Sequence, residues 1–327
     1  MLTEYRAARE GVALFDRSGL GKVSVTGRDR LAFLQGMLTN DVKGLGPGQG
    51  APAAFLDAHG KVTALLVVYA ATDRVLIELP ASLTEKTLQT LDRYLISEKA
   101  YFEAVDEAFA ILSLQGPAAR GLLEGLAASG LDLPPYAHVE ATIAGAPVRM
   151  VNRAEGPGAG FHCWVPAEHA ASVRSAFEAA GAVAAGAETL DVLRVEAGQP
   201  WYPQDVDDSV IMPETRLDPL VSYTKGCYIG QEVVARVKYR GHVNRALSGL
   251  VIDGERIPEQ GAHVTAAGKE VGRVTSAVRS IALGRPIALA YVRREHFEPG
   301  TAVTVADGSG EQPARVAALP FVASPPA

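Results

Sequence analysis

The stretch KVSVTGRDRLAFLQGML, residues 22–38, decides the fold class because it reads as a strand followed directly by a helix. Residues 22–25 predict the strand, and Leu31, Leu34 and Leu38 then recur at the spacing of one helix face. We expect Thr26 to cap that helix.

The next elements continue this alternation. Two strand-like runs at 61–70 and 74–79 precede a predicted helix at 84–98, in which leucines recur every three or four residues. A strand, a helix, a hairpin and a second helix in succession indicate an α+β fold.

The same theme returns from about Ala108. Strands are predicted at 111–114, 148–152 and 161–165. Pro117 opens one predicted helix, and a second covers 166–180. The repetition predicts a pseudo-duplicated α/β core with units at 1–107 and 108–245.

Beyond Arg245 the pattern changes to short strands separated by turn residues. They are predicted at 246–252, 263–266, 270–278, 286–292 and 301–306. Such spacing is typical of a small antiparallel barrel, and we assign residues 246–327 to that domain. The tail, which ends ASPPA, is predicted to be disordered.

The segment KGCYIGQE, residues 225–232, combines a thiol, a lysine, an acid and two glycines without a hydrophobic period. Gly226 and Gly230 suit backbone geometries that a side chain would forbid. Cys227 follows Lys225 by two residues and lies at the amino end of a helix predicted from Ile229, which favours the thiolate. The alternative is a small buried hydrophobe, as most free cysteines are. The remaining candidate residues of this segment are Tyr228, Gln231 and Glu232.

Composition sets the class of the protein. The chain has 327 residues, 48% hydrophobic and 21% charged, which is enough for two or three globular domains. The start, MLTEYRAARE, has no apolar signal region, and the longest apolar run, 62–71, is half a membrane-spanning length. We therefore expect a cytoplasmic protein with no membrane partner. A net charge of −6 also makes direct nucleic-acid binding through a broad basic surface unlikely.

Cysteine and acid spacing argue against a metal centre built by this chain alone. Cys163 and Cys227 are the only cysteines, far apart and without a metal-ligand spacing, so no disulfide framework is expected either. Asp205, Asp207 and Asp208 are grouped, but they lack the spacing of a calcium loop, so we expect an ordinary surface loop.

A run of cations follows the KGCYIGQE segment. Arg236, Lys238, Arg240 and His242 occupy alternate positions and would share one face of an extended segment. This face would bind a polyanion such as a polyglutamate tail or RNA phosphate. A solvated basic edge remains the alternative.

Four blocks of the sequence, in order, carry a resemblance to a known family. They are LFDRSGLGKVSVTGRDRLAFLQGMLTNDV (14–42), FLDAHGKVTALLVVY (55–69), LRVEAGQP (193–200) and KGCYIGQEVVAR (225–236). Together they resemble the YgfZ family, folate-binding proteins related to the T-protein (aminomethyltransferase) of the glycine cleavage system. The resemblance implies a T-protein-like multi-domain fold around a central folate cleft, with tetrahydrofolate or a derivative as cofactor.

Arg194 and Glu196 are the candidate folate ligands. They lie near the end of a helix predicted at 189–197, where positions two residues apart point about 200° from each other. By resemblance to the T-proteins, Arg194 would meet the anionic tail of folate and Glu196 would line the pocket. The alternative is a surface arginine and glutamate at a helix end.

The acids that the T-proteins use are missing. Ala64 and Leu65 stand where those enzymes have an aspartate pair, the first of which is thought to position the aminomethyl-bearing substrate. Neither side chain accepts a proton or a hydrogen bond. Gly158 stands where the T-proteins have a pterin-contacting glutamate. A folate scaffold without these acids, and with an added cysteine segment, is what the YgfZ branch shows.

The resemblance implies a tetrahydrofolate-binding accessory factor for assembly or repair of iron–sulfur proteins, which affects tRNA modification through a cluster-containing enzyme. Cys227 would be the working thiol toward client or assembly proteins, with Lys225 and Glu232 tuning or placing it. An alternative is a folate-dependent one-carbon transferase, an aminomethyltransferase or demethylase. A third possibility is a folate- or partner-binding module without chemistry. The missing acid argues against an enzyme.

Overall fold

A computed structural model describes residues 1–128 and 130–323. In that part of the chain, two β-sheets pack against each other and a closed barrel follows them. Residues 324–327, where the sequence predicts disorder, lie outside the described residues.

The first sheet has five antiparallel strands with two helices against it. After α1 (Leu2–Glu10) and β1 (Ala13–Asp16), its elements are β2 (Leu20–Thr26), α2 (Arg30–Met37), β3 (Gly50–Leu56), β4 (Val62–Ala70), β5 (Val75–Pro80), α3 (Thr84–Tyr94) and β6 (Tyr101–Ala104). The strand order is β3–β4–β5–β2–β6. Leu34, Leu38 and Leu91 pack with the strands in one buried cluster, as the helical spacing of leucines predicts.

Two local predictions in this unit need correction, and one strand was not predicted. Thr26 does not cap α2 but ends β2, and the chain then turns at Gly27 with a φ of 96°. A Cβ at Gly27 would come within 2.1 Å of the carbonyl oxygen of Lys99, so this turn requires glycine. The helix predicted at 84–98 ends at Tyr94. The chain then forms β6, a short and mostly exposed edge strand that leaves no hydrophobic alternation in the sequence.

The second sheet has six strands and includes the amino-terminal strand. Its further elements are β7 (Phe109–Gln115), α4 (Ala119–Ala127), β8 (His138–Ile143), β9 (Ala146–Asn152), β10 (Gly160–Pro166), α5 (Ala170–Ala179), β11 (Val183–Ala185) and α6 (Ala187–Glu196). The order is β11–β1–β7–β10–β9–β8, with β1 antiparallel to β7 and parallel to β11. The predicted unit boundary at 107 therefore groups β1 with a sheet to which it does not belong.

The two sheets repeat one design. The order β3–β4–β5–β2 in the first matches β8–β9–β10–β7 in the second. In each, the third of these strands ends at a proline, Pro80 or Pro166, that leads through a 3-10 turn into a helix. Gly27 and Gly116, both with positive φ, make the equivalent turns from strand to helix. The predicted pseudo-duplication is confirmed.

A helix and a barrel complete the chain. These elements are α7 (Gln231–Arg240), β12 (Arg245–Ile252), β13 (His263–Ala266), β14 (Lys269–Ser280), β15 (Arg285–Arg293), β16 (Ala302–Asp307) and β17 (Gly310–Ala317). The barrel closes in the order β12–β15–β14–β13–β16–β17. The predicted antiparallel barrel is confirmed. The sequence missed β17, although its burial alternates regularly, because Pro313 is unusual inside a strand and the first buried position is the polar Gln312.

Arg194 joins α6 to the barrel. Its fully buried guanidinium donates to Asp205 Oδ2 at 2.7 Å and to Ser276 Oγ, on β14, at 2.8 Å. It also lies 4.6 Å from the ring centre of Trp201. Asp205, which the sequence placed in an ordinary surface loop, is instead buried as the counter-ion of this arginine.

Glu196 makes a second connection from the same helix. Its buried carboxylate accepts hydrogen bonds from Tyr5 Oη on α1 and from Ser280 Oγ on β14, both at 2.6 Å. The backbone N–H of Ala282 donates at 3.1 Å. One carboxylate thus holds α1, α6 and the barrel together.

A charged network lies between the two sheets, with His162 of β10 at its centre. Nδ1 is 3.2 Å from Glu78 Oε2 of β5, and Nε2 is 2.8 Å from Glu155 Oε2, an ion-pair distance with a poor hydrogen-bond angle. Arg153 pairs with Glu78, and Arg17 pairs with Glu155 at 2.9 Å. Burial alone would lower the pKa of His162, but the attraction of the two carboxylates outweighs it and raises that pKa above 6.5. Burial would likewise raise the pKa of Glu155, and His162 and Arg17 instead hold it below its usual range.

We expect stability to depend on pH through His162. A raised folded-state pKa stabilises the protein fully below about 6.5, and that contribution is lost as the pH rises through the folded value. The lowered pKa of Glu155 contributes above about 4.3 and is lost as the pH falls further. The free energy of unfolding, from urea titrations between pH 4 and pH 9, should therefore be greatest at mildly acidic pH.

The variant His162→Gln should flatten the decline on the alkaline side, whereas His59→Gln, at an exposed turn, should preserve it. An equally steep alkaline decline in His162→Gln and the wild type would contradict a charged His162.

Removing Arg194 should destabilise the protein strongly. The variant Arg194→Met leaves the buried Asp205 carboxylate without a counter-ion, which costs roughly 3–5 kcal/mol of unfolding free energy. The matched variant Arg120→Met, which removes an exposed pair with Asp132, should change it by less than about 0.5 kcal/mol. Urea unfolding midpoints measure both, and equal midpoints for the two variants would show that Arg194 does not join α6 to the barrel.

Candidate functional site

Lys225 fixes the position of the KGCYIGQE segment. Its Nζ donates to the carbonyl oxygens of Gln35, Leu38 and Asn40 at 2.7, 2.5 and 2.8 Å, at and just beyond the end of α2. Helices leave such carbonyls without partners, so the ammonium satisfies groups that would otherwise need water. The Nζ also lies 5.0 Å from the ring centre of Tyr228, and burial lowers the pKa of Lys225 to about 8.

The backbone of the segment is held from two sides. The N–H of Ile229 donates to the carbonyl of Gly36 at 3.2 Å, and Gln231 begins α7. Gly230 has a φ of 82°, and a Cβ there would come within 2.6 Å of the Asp57 carbonyl oxygen, so glycine is required. At Gly226 a Cβ would meet nothing within 4 Å, so the predicted steric need for glycine is absent at that position.

The two cysteines lie in opposite environments. Cys227 is exposed, so the alternative of a buried hydrophobe does not hold for it. That alternative describes Cys163, which lies in the core of the second sheet, where burial raises the pKa of its thiol. The helix predicted from Ile229 begins only at Gln231. A helix dipole acts mainly within the first turn, and Cys227 lies outside that turn.

The charged neighbours of Cys227 are engaged elsewhere. Glu232 pairs with Arg236 at 2.6 Å on the exposed side of α7. Lys238 lies 4.6 Å from the ring centre of Tyr223. Because Arg236, Lys238 and Arg240 are on a helix, alternate positions point about 200° apart. The single basic face predicted for an extended segment is therefore wrong.

Arg194 and Glu196, the predicted folate ligands, are both fully buried. Their polar atoms bind Asp205, Ser276, Tyr5 and other protein groups, in the contacts that join α6 to the barrel. The alternative that they are a surface arginine and glutamate at a helix end is therefore wrong. A contact between folate and either side chain stays a prediction.

The inter-sheet network presents its cations and hides its anions. The side chains of Arg17 and Arg153 are 19% and 20% exposed, whereas those of Glu155 and Glu78 are 5% and 1% exposed. The Arg17 guanidinium also lies 5.0 Å from the ring centre of Trp201. The partly exposed guanidinium of Arg17 can receive a negatively charged group beside an aromatic ring.

Sequence reasoning did not find this network. Its members come from separate strands and turns, so no local motif joins them. A weak signal exists, since Glu78 and His162 interrupt the otherwise apolar strands VLIELP and GFHCWVP. A charged residue in such a strand requires a partner when it is buried.

The positions where the resemblance leads us to expect the T-protein acids are either apolar or have a backbone that favours glycine. Ala64 is buried in β4, and Leu65 packs against the cluster that contains Tyr228. Gly158 has a φ of 128°, which side chains rarely adopt, so a glutamate there would require a different backbone.

Within 1–128 and 130–323, no three His, Cys, Asp or Glu side chains stand together as a metal site. No helix in those ranges has the length and apolar character needed to cross a membrane.

Two known domain families match the two parts of the chain. Residues 1–225 match the GCVT N-terminal domain, and residues 245–323 match the glycine cleavage T-protein C-terminal barrel domain. The chain is 33% identical to an aminomethyltransferase of Streptomyces avermitilis, over 97% of this chain and 88% of that protein. It is 31% identical to an aminomethyltransferase of Bacillus subtilis, over 97% and 90%.

The fold has a close structural counterpart. The crystal structure of glycine cleavage system aminomethyltransferase T from Bartonella henselae matches 98% of this chain and 89% of its own with a TM-score of 0.90, at 22% identity. The predicted T-protein-like fold is confirmed. The chain belongs to the family of the glycine cleavage T-proteins, with their GCVT N-terminal domain and carboxy-terminal barrel.

Proposed function

We propose that this protein is a tetrahydrofolate-binding accessory factor of the YgfZ type, which serves the assembly or repair of iron–sulfur proteins through the thiol of Cys227. The observation that carries the proposal is an exposed cysteine on a loop that Lys225 fixes by three hydrogen bonds. A thiol held in this way is accessible to the cluster, sulfur or metal of a partner. An effect on tRNA modification would follow through the iron–sulfur enzymes that the factor serves.

The absence of the transferase acids supports an accessory role. Ala64 and Leu65 cannot transfer or accept a proton, and loss of such a group typically costs about 10² to 10⁴ in rate. The backbone at Gly158 opposes a glutamate at that position. Aminomethyl transfer by the route of the T-proteins therefore lacks its groups here.

The partly exposed arginines of the inter-sheet network fit the anionic tail of folate. Arg17 and Arg153 present guanidinium groups for the glutamate carboxylates, and Trp201 offers a ring beside Arg17. Bound tetrahydrofolate would supply a carrier for one-carbon units. We therefore place its anionic tail at Arg17 and Arg153, rather than only at Arg194.

We expect Arg17→Gln to weaken tetrahydrofolate binding by about ten-fold or more, since a charge-assisted hydrogen bond contributes roughly 1.5–3 kcal/mol. Calorimetric titration of the folded variants measures the affinity, with Arg120→Gln as the exposed control. Normal affinity in Arg17→Gln, together with lost affinity in a folded Arg194→Met, would move the tail to α6.

We expect Cys227→Ala to abolish function in cells. In a deletion host, the activities of iron–sulfur enzymes should recover with the wild type and with Cys163→Ala, which removes only the buried thiol. They should stay low with Cys227→Ala at equal protein level. Full rescue by Cys227→Ala would remove this thiol from the mechanism and would favour a binding module without chemistry.

A one-carbon transferase is the second candidate, because the relatives that match nearly the whole chain at 31–33% identity are named aminomethyltransferases. Formation of methylenetetrahydrofolate from an aminomethylated carrier protein distinguishes the two. Sustained turnover that survives Cys227→Ala would establish the transferase, whereas the accessory factor should show none.

A further inference from the structure

A groove lies between α7 and the turns that precede the KGCYIGQE segment. Its volume is about 220 Å³, and its walls are mostly aliphatic. We name it the α7 groove and define it by Met212, Leu217, Val221, Val234, Val237 and Val243. Sites for whole small molecules usually occupy about 300–1,000 Å³, so this groove is closer in size to one large apolar side chain.

The α7 groove shares its wall with the loop that carries the thiol. Met212, Val221 and Val234 belong to the same buried cluster as Tyr228. Tyr228 is the direct neighbour of Cys227 in the chain, and it is itself held by the Lys225 contact. An occupant of the groove would therefore lie against the same packed cluster that holds the residue next to Cys227.

Two cations border the α7 groove. Arg216 has a φ of 57°, an uncommon conformation for a residue other than glycine, and its guanidinium lies 4.6 Å from the ring centre of Phe297. The residue is exposed overall, and in the described part of the chain no carboxylate lies within ion-pair distance of it. Burial of the guanidinium lowers its pKa, and the more distant charge of Glu298 opposes that effect. Lys238 Nζ is 3.9 Å from the Asp218 carboxylate, a distant and exposed pair of small energy.

We propose that the α7 groove binds an acidic segment of a protein partner, with one large apolar side chain in the cavity and carboxylates on Arg216 and Lys238. The inference rests on the proposed function, because it identifies the surface that brings a client to Cys227. A partner of this kind supplies an apolar anchor for the cavity and a carboxylate for Arg216, which has no ion-pair partner in the described residues. Asp218 at the rim limits the gain, since it repels part of the same negative charge.

The test uses the full chain and a short fluorescent peptide in which one phenylalanine is flanked by aspartates. Fluorescence anisotropy should show saturable binding, and replacement of the aspartates by lysines, or of the phenylalanine by alanine, should weaken it at least ten-fold. The variant Arg216→Gly tolerates the left-handed backbone and removes the guanidinium, so it should weaken binding at least ten-fold too. The variant Val237→Trp fills the cavity and should do the same. The matched control Arg236→Ala removes an equal charge from α7, outside the groove lining, and should bind normally.

The outcomes separate this inference from the proposed function. Absence of saturable binding, or equal loss in Arg216→Gly and Arg236→Ala, would overturn the α7 groove as a docking site. Equal binding of the free amino acid derivative N-acetylphenylalanine and the peptide would indicate a small-molecule site and would overturn the partner as its occupant. Cys227→Ala should bind the peptide normally even though it should fail to restore iron–sulfur enzyme activity in cells. Loss of peptide binding would likewise leave the role of Cys227 in cells untouched.

Discussion

The imidazole of His162, held between carboxylates from both sheets, constrains the rest of the structure. Glu78 arrives from the first half of the chain and Glu155 from the second, so the charged ring can be satisfied only when the two sheets meet in one arrangement. A buried charge that loses its partner is costly, whereas a fully paired one can be nearly neutral in energy. The network therefore contributes more to the choice of one arrangement than to stability. Arg17 and Arg153 are its partly exposed members, so the accessible charge of the network is positive.

Two other cations, one half-buried and one fully buried, join parts that are distant in sequence. Lys225 connects the KGCYIGQE segment to the end of α2, and Arg194 connects α6 to the barrel. In both cases the partners are fixed oxygen atoms with defined directions, so a small displacement would break several hydrogen bonds at once. Hydrophobic packing is less directional and would permit such a displacement. The position of the exposed thiol consequently depends on the integrity of the first unit, far away in the chain.

The sequence predicted most elements because their hydrophobic periods are regular. The leucines of α2, the repeated strand and helix order, and five of the barrel strands all follow from local pattern. The failures have local causes as well: Pro313 hides β17, and β6 has no buried face to reveal it. The cations at 236–240 were assigned the two-residue period of a strand, but they lie on a helix. Alternate residues share a face in a strand and point in different directions on a helix. No local pattern reveals that the buried Arg194 has a counter-ion eleven positions away and a partner on the barrel. The segment around Cys227 was recognised as unusual, but its anchoring by carbonyls of α2 depends on folding of the whole unit.

The burial of Cys163 has a consequence for oxidation. With that sulfur enclosed among apolar side chains, the exposed thiol has no second cysteine of its own chain that it can reach. A sulfenic acid formed at Cys227 must therefore be resolved by a thiol from outside, such as glutathione or a cysteine of another protein. Every disulfide that the folded molecule makes therefore joins it to another molecule. The redox state of Cys227 depends on which partner thiols are present.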